Sequence, residues 1–227
     1  MQRYNIFYQI HKGLRQLLYH TAGQLLQTDF TQAEEINELI PQIHEVLDLF
    51  DGHAHTEDNF VLPSVEKAEP AAASLFEEEH VQDHALSNRL RALLNMFHHT
   101  VSSEEKNELG SAIRVAFTEF LVFNLQHMAK EELQLNHLLW QYYNDEQLHG
   151  ITQKILAHVP AALQFKYNTW MMRGLSNNEI IAWLKNIRNL APDAVFNKML
   201  KLAETELNAH RWCIVQEAIT DGALLAS

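Results

Sequence analysis

Three segments of this chain carry imidazole or carboxylate side chains four residues apart: His53 and Glu57, His80 and His84, His127 and Glu131. On an α-helix that separation leaves two side chains about 40° apart around the axis and one turn apart along it, so both reach one point beside the helix. His11 adds a single imidazole from an earlier segment. Around all four, apolar residues recur at helical spacing. The first stripe runs Ile6, Ile10, Leu14, Leu17, Leu18, Leu25 over residues 2–27. The second includes Ile36, Leu39, Ile43, Val46, Leu47 and Phe50 and continues to Phe60 and Leu62, with Pro41 inside it as an expected kink or start. A loop is expected between Pro63 and Pro70, a third helix from about Ala72 to His98, and a fourth from Ser102-Ser103 to about Tyr143. Four long helices with short links predict an all-α, antiparallel up-down four-helix bundle.

Composition agrees. Seven Gly and five Pro are too few for the turns of an all-β chain, and the 47% hydrophobic content is enough for a sizeable core. A net charge of −12 with no Lys/Arg block argues against nucleic acid and anionic membranes as partners. The single Cys213 excludes disulfide frameworks and cysteine-held zinc or iron–sulfur groups from this chain alone. No apolar run has signal-peptide or membrane-spanning character, so a cytoplasmic protein is expected. Residues 1–143 are assigned to the bundle. Residues 144–227 are read as a helical C-terminal extension, packed on the bundle or on another subunit or protein. In it a helix is expected over 151–172 before Gly174, a capped one from Ser176, and a last one over 192–218.

The heights of the paired residues can be compared. At 1.5 Å per residue, Glu57 lies about 14 Å before a turn near residue 66, and His80 about 14 Å beyond a turn near residue 71. The other pairs match in the same way, so seven donors can meet in one layer: His11, His53, Glu57, His80, His84, His127 and Glu131. The fourteen histidines also contain an internal repeat. His11 to His53 is 42 residues and His84 to His127 is 43, and each span ends in His-x-x-x-Glu followed by an acidic residue. The repeat breaks at Phe7, which stands where a partner to His80 is expected. That predicts two metals, one with three imidazoles (His80, His84, His127) and one with two (His11, His53), with Glu57 and Glu131 available to bridge. An under-coordinated metal suits a small diatomic ligand. Mixed imidazole and carboxylate donors suit iron, with zinc or manganese as substitutes.

These elements resemble the hemerythrin family, the HHE cation-binding domain. A lone His is followed by His53-Ala-His-Thr-Glu57-Asp58-Asn-Phe-Val-Leu62-Pro63, then His80-x-x-x-His84, then His127-Met-Ala-Lys-Glu131-Glu132, with His137 where Pro63 stands in the second element. The resemblance covers about residues 5–140. It implies two non-haem iron ions (Fe2+/Fe3+) bridged by Glu57, Glu131 and a solvent-derived oxo or hydroxo group. It also implies that O2 or another small ligand binds at the iron held by His11 and His53.

The rival Glu-x-x-His pattern of ferritin-like carboxylate proteins is present at Glu77-x-x-His80 and Glu146-x-x-His149. It leaves His11, His53, His84 and His127 idle, so the first reading is preferred. No acid, base or nucleophile beyond the seven donors is evident, and reversible O2 binding for storage, delivery or sensing leads over an enzymatic role. The alternatives are redox handling of nitric oxide or peroxide, iron handling, iron–sulfur cluster repair, or signalling through the extension.

Overall fold

The computed structural model describes residues 3–224, and among them there is no strand. The helices are α1 (Tyr8–Gln27), α2 (Ala33–Thr56), α3 (Leu62–Glu66), α4 (Pro70–His99), α5 (Ser103–Lys130), α6 (Asn136–Tyr142), α7 (Asp145–His158), α8 (Ala161–Gly174), α9 (Asn177–Leu190), α10 (Asp193–Glu206) and α11 (Ala209–Leu224). Two π-helical turns, Glu57–Val61 and Glu131–Leu135, join α2 to α3 and α5 to α6. The four long helices form the expected bundle, with α1 packed on α2 and α5, and α4 likewise on α2 and α5.

Local chemistry sets the helix ends. The Asn5 side chain accepts from the backbone N–H groups of Phe7 and Tyr8 and so opens α1. Ser102 accepts from the Glu105 N–H at the start of α5, and Asn144 with Gln147, and Ser176 with Glu179, form reciprocal capping boxes. Pro41 does not interrupt α2. Both Pro41 and Asn37, whose carbonyl loses its helical partner to the proline ring, lie on the exposed side, where water can satisfy that oxygen. Pro63 lies within the first turn of α3 rather than in a loop, a position where its missing N–H loses nothing. The expected helix over 151–172 is broken at Pro160, which starts α8. The expected helix over 192–218 is broken at Asn208, whose side chain accepts from the Arg211 N–H and starts α11.

Two apolar clusters lie on either side of the layer that holds His11 and its neighbours. One is built from Leu14, Leu18, Leu47, Phe50, Leu94 and Phe117 along the length of the bundle. The other closes its end with Phe7, Leu62, Phe76, Leu135, Leu139 and Leu148. A third core, including Ile180, Leu184, Leu202 and Val215, belongs to the extension. The extension meets the bundle through α7, whose Leu148 joins the end cluster, and more extensively through α8. The Tyr167 hydroxyl donates to the Leu49 carbonyl (2.6 Å) and the Trp170 indole N–H to Glu45 (2.7 Å).

Glycines let α1 and α8 approach closely. A Cβ on Gly174 would lie 2.5 Å from the Lys12 carbonyl oxygen, a backbone atom that cannot turn aside. Gly174→Ala is therefore expected to destabilise the fold by about 1–3 kcal/mol through overpacking. Gly150, within α7 and with nothing within 4 Å of the equivalent position, should gain about 0.5–1 kcal/mol as alanine. Denaturant melts of the two variants check the pair of opposite signs.

Candidate metal centre

Helix α4 decides which histidines face inward. Its buried positions are Ala73, Phe76, His80, Asp83, Ser87, Leu90, Leu94 and Phe97, a strict alternation of steps of three and four. The step after His80 is three, so Asp83 is buried and His84 is turned out, with its side chain 46% exposed. The expectation that His84 joins the others is corrected here. A hydrophobic count cannot see the reason, because the inward line passes through the polar residues Asp83 and Ser87.

The other six converge. His11, His53, Glu57, His80, His127 and Glu131 are all buried. The Nε2 atom of His11 lies 3.1 Å from that of His53 and 3.3 Å from Glu131 Oε2, and His53 Nε2 is 3.2 Å from Glu57 Oε1. Opposite them, His80 Nε2 is 3.4 Å from Glu57 Oε2, and His127 Nε2 is 3.1 Å from Glu131 Oε1. Each carboxylate thus presents one oxygen to each histidine pair. The result is two four-donor groups that share Glu57 and Glu131, either able to hold a metal ion. All four carboxylate oxygens and His80 Nε2 are buried without a hydrogen-bond partner. Buried polar atoms left unpaired are costly, and a pair of cations between the two groups would satisfy every one of them.

Carboxylates hold the far sides of three imidazoles. His11 Nδ1 meets Glu132 (3.0 Å), His80 Nδ1 meets Asp58 (2.6 Å) and His127 Nδ1 meets Glu79 (2.8 Å). Arg15 anchors Glu132, and Lys130 anchors Glu79. An Nδ1–H donated to a carboxylate leaves the Nε2 lone pair for the centre and raises its basicity. At His53 no Nδ1 partner occurs among the described residues. Asp58→Asn and Glu132→Gln should each weaken metal affinity by about 10–100-fold, measured by competition with a coloured chelator.

Asp58 and Glu132 are the acidic residues that follow Glu57 and Glu131, a regularity visible in the sequence whose purpose was not. Each holds the lone histidine of the opposite half: Asp58 of α2's extension binds His80 of α4, and Glu132 of α5's extension binds His11 of α1. The internal repeat is therefore in a different register from the one expected. His11 corresponds to His80, and Phe7 to Phe76, each four residues before its histidine and each buried. Phe7 stacks on His11 at 5.3 Å, and Phe76 lies 6.0 Å from the His127 ring. No imidazole is missing at Phe7, so the expected division into three and two gives way to two and two. Glu79 lies ten residues into α4 and serves His127. Glu77, Glu146 and His149 are exposed, which removes the Glu-x-x-His alternative.

The π-helical turns begin at the two shared carboxylates. In each, the N–H five residues on bonds the glutamate's carbonyl: Leu62 to Glu57, and Asn136 to Glu131. Such widened turns are frequent at functional sites.

The charges follow from this packing. Burial and the neighbouring Glu131 push the Glu57 carboxyl up to about 8. Burial also acts on Glu131, but the adjacent His127, with His11 and His53 beyond, holds it well below the usual carboxylate range. Burial opposes charge on His80 and His127, yet Asp58 and Glu57 raise the first to about 10, and Glu131 with Glu79 raises the second to about 9. Burial and the adjacent imidazoles hold His53 well below its ordinary value.

Residues 2–139 match the hemerythrin HHE cation-binding domain, and the chain belongs to this family. A comparison with curated proteins finds no match, and neither does one with solved structures. Among the described residues no helix is long and apolar enough to cross a membrane.

Proposed function

We propose that the chain holds two non-haem iron ions between His11, His53, Glu57, His80, His127 and Glu131, and binds O2 or another small diatomic ligand reversibly for storage, delivery or sensing. The observation that carries this is the split of Glu57 and Glu131, one oxygen to each histidine pair, with all four oxygens otherwise unpaired. Bound together, two iron ions supply the paired redox change that reversible capture of O2 requires. The chain's own residues supply the rest. His11, His80 and His127 are fixed in orientation by their carboxylates, while Phe7 and Phe76 shield the layer from water and protons. His53 lacks such backing, so its imidazole donates less strongly, and we assign the added ligand to the iron on His11 and His53.

The equal donor sets favour a second reading, in which both metals act on one substrate: redox handling of nitric oxide or peroxide, iron handling, or iron–sulfur cluster repair. Anaerobic loading with Fe2+, exposure to air and then to reductant separates the two. A visible charge-transfer band that appears and reverses supports binding. Turnover of peroxide or nitric oxide without a stable coloured adduct supports the redox reading.

A further inference from the structure

Within one turn of helix from the centre, α2 and α4 bring together a second set of donors. Asp51 lies two residues before His53, and Asp83 and His84 lie three and four after His80, so the set is offset by about 3 Å along α2 and about 5 Å along α4. Each of the three offers a ligand atom, and these atoms lie within 4.8 Å of one another. They grade from the interior to the surface: Asp83 is buried, Asp51 is half-buried and His84 is exposed. Arg91 takes Asp51 Oδ2 at 2.6 Å. Asp51 Oδ1 is left buried with no hydrogen-bond partner, 3.4 Å from His84 Nδ1. Asn124 donates to Asp83 Oδ1 at 2.7 Å, leaving its second oxygen free of that bond. Two carboxylates and an imidazole from two helices, with an unpaired buried oxygen among them, match the donor chemistry of a divalent transition-metal ion.

We infer that Asp51, Asp83 and His84 form a third cation site, which captures a divalent metal at the surface and passes it to the paired site beside it. The short offset along the helices and the graded burial, from exposed His84 through Asp51 to buried Asp83, supply the route. His84 then has a role that its displacement from the centre would otherwise leave unexplained. The transfer part of the inference rests on the dinuclear reading above, whereas cation binding at the three residues does not.

The test uses the full, metal-free chain and Co2+ as the probe. The parent should take up two tightly held equivalents and a third, weaker one. His84→Ala changes an exposed side chain, so the fold should be kept; it should bind only the tight pair and fill it about tenfold more slowly by stopped-flow absorbance, because the capturing donors speed entry. Asp51→Asn should behave the same way, and both variants should reach the parent's final absorbance for the pair. The inference is overturned if His84→Ala still binds the third equivalent, or loses it and still loads the pair at the parent's rate. A parent that binds one weak equivalent, lost in His84→Ala, and no tight pair overturns the dinuclear reading and the transfer step, and leaves the cation site standing.

Discussion

If the chain holds two metals as proposed, Glu131→Gln should reduce the tightly bound content from two equivalents to none. Glu131 is fully buried and sits 3.3 Å from His11 Nε2 and 3.1 Å from His127 Nε2, with one oxygen in each half of the centre. The amide keeps the volume but removes the negative charge and turns one of the two donor atoms into an N–H donor. Partners that touch only the far side of a ligating histidine are worth about 10–100-fold in affinity, so loss of a shared charged donor must exceed that range in both halves. Glutamine at position 131 keeps the packing, and the helical circular dichroism should persist. Elemental analysis after gel filtration reads the outcome. Full retention of two equivalents would place the metals elsewhere.

Stripping the metals from the parent chain should lower its melting temperature by about 15–30 °C. Two cations held about a thousandfold above their dissociation constants stabilise by about 8 kcal/mol together, and at this chain length each kcal/mol is worth about 2–4 °C. The difference between loaded and stripped chains should also depend on pH. In the stripped chain, His80 and His127 are raised above the ordinary 6.5 to about 10 and about 9. Their contribution to stability is fully present below pH 6.5 and is lost as pH rises through those values. His53 is lowered, so its contribution is present above 6.5 and lost on acidification. The loaded chain needs neutral imidazoles and a charged Glu57, so protons compete with the metals increasingly as pH falls through about 10, 9 and 8, the values of His80, His127 and Glu57. The gap in melting temperature should therefore be widest at pH 9–10 and should close in acid. Loading at pH 7 should release protons from Glu57, His80 and His127, which an indicator dye in weak buffer will count. Release that does not diminish at pH 10 would contradict the raised values.

Much of this centre is legible along the chain. The i, i+4 pairs His53/Glu57 and His127/Glu131 needed only helical geometry, and with His11 and His80 they lie at matching distances from the turns. The capping boxes at Asn144 and Ser176 are equally local, because every atom involved lies within one turn. Pro160 and Asn208, which break the extension's helices, carry local signals too, but the apolar stripes run across both and conceal the breaks.

By itself, then, the sequence determined the bundle, the level of the centre and the six buried imidazole and carboxylate side chains that converge there, since helical period and rise act within each segment. Tertiary structure alone decided the fate of His84. His80 and His84 are equally good partners on an isolated helix, and the choice of Asp83 for the interior depends on Asn124 and the packing of α5 against α4. It decided as well that Glu57 and Glu131 open widened turns, and that Asp58 and Glu132 cross to histidines of the opposite half. Those contacts join residues 22 and 121 positions apart. A periodicity describes one helix at a time, and which face meets which neighbour is set by the simultaneous packing of all four.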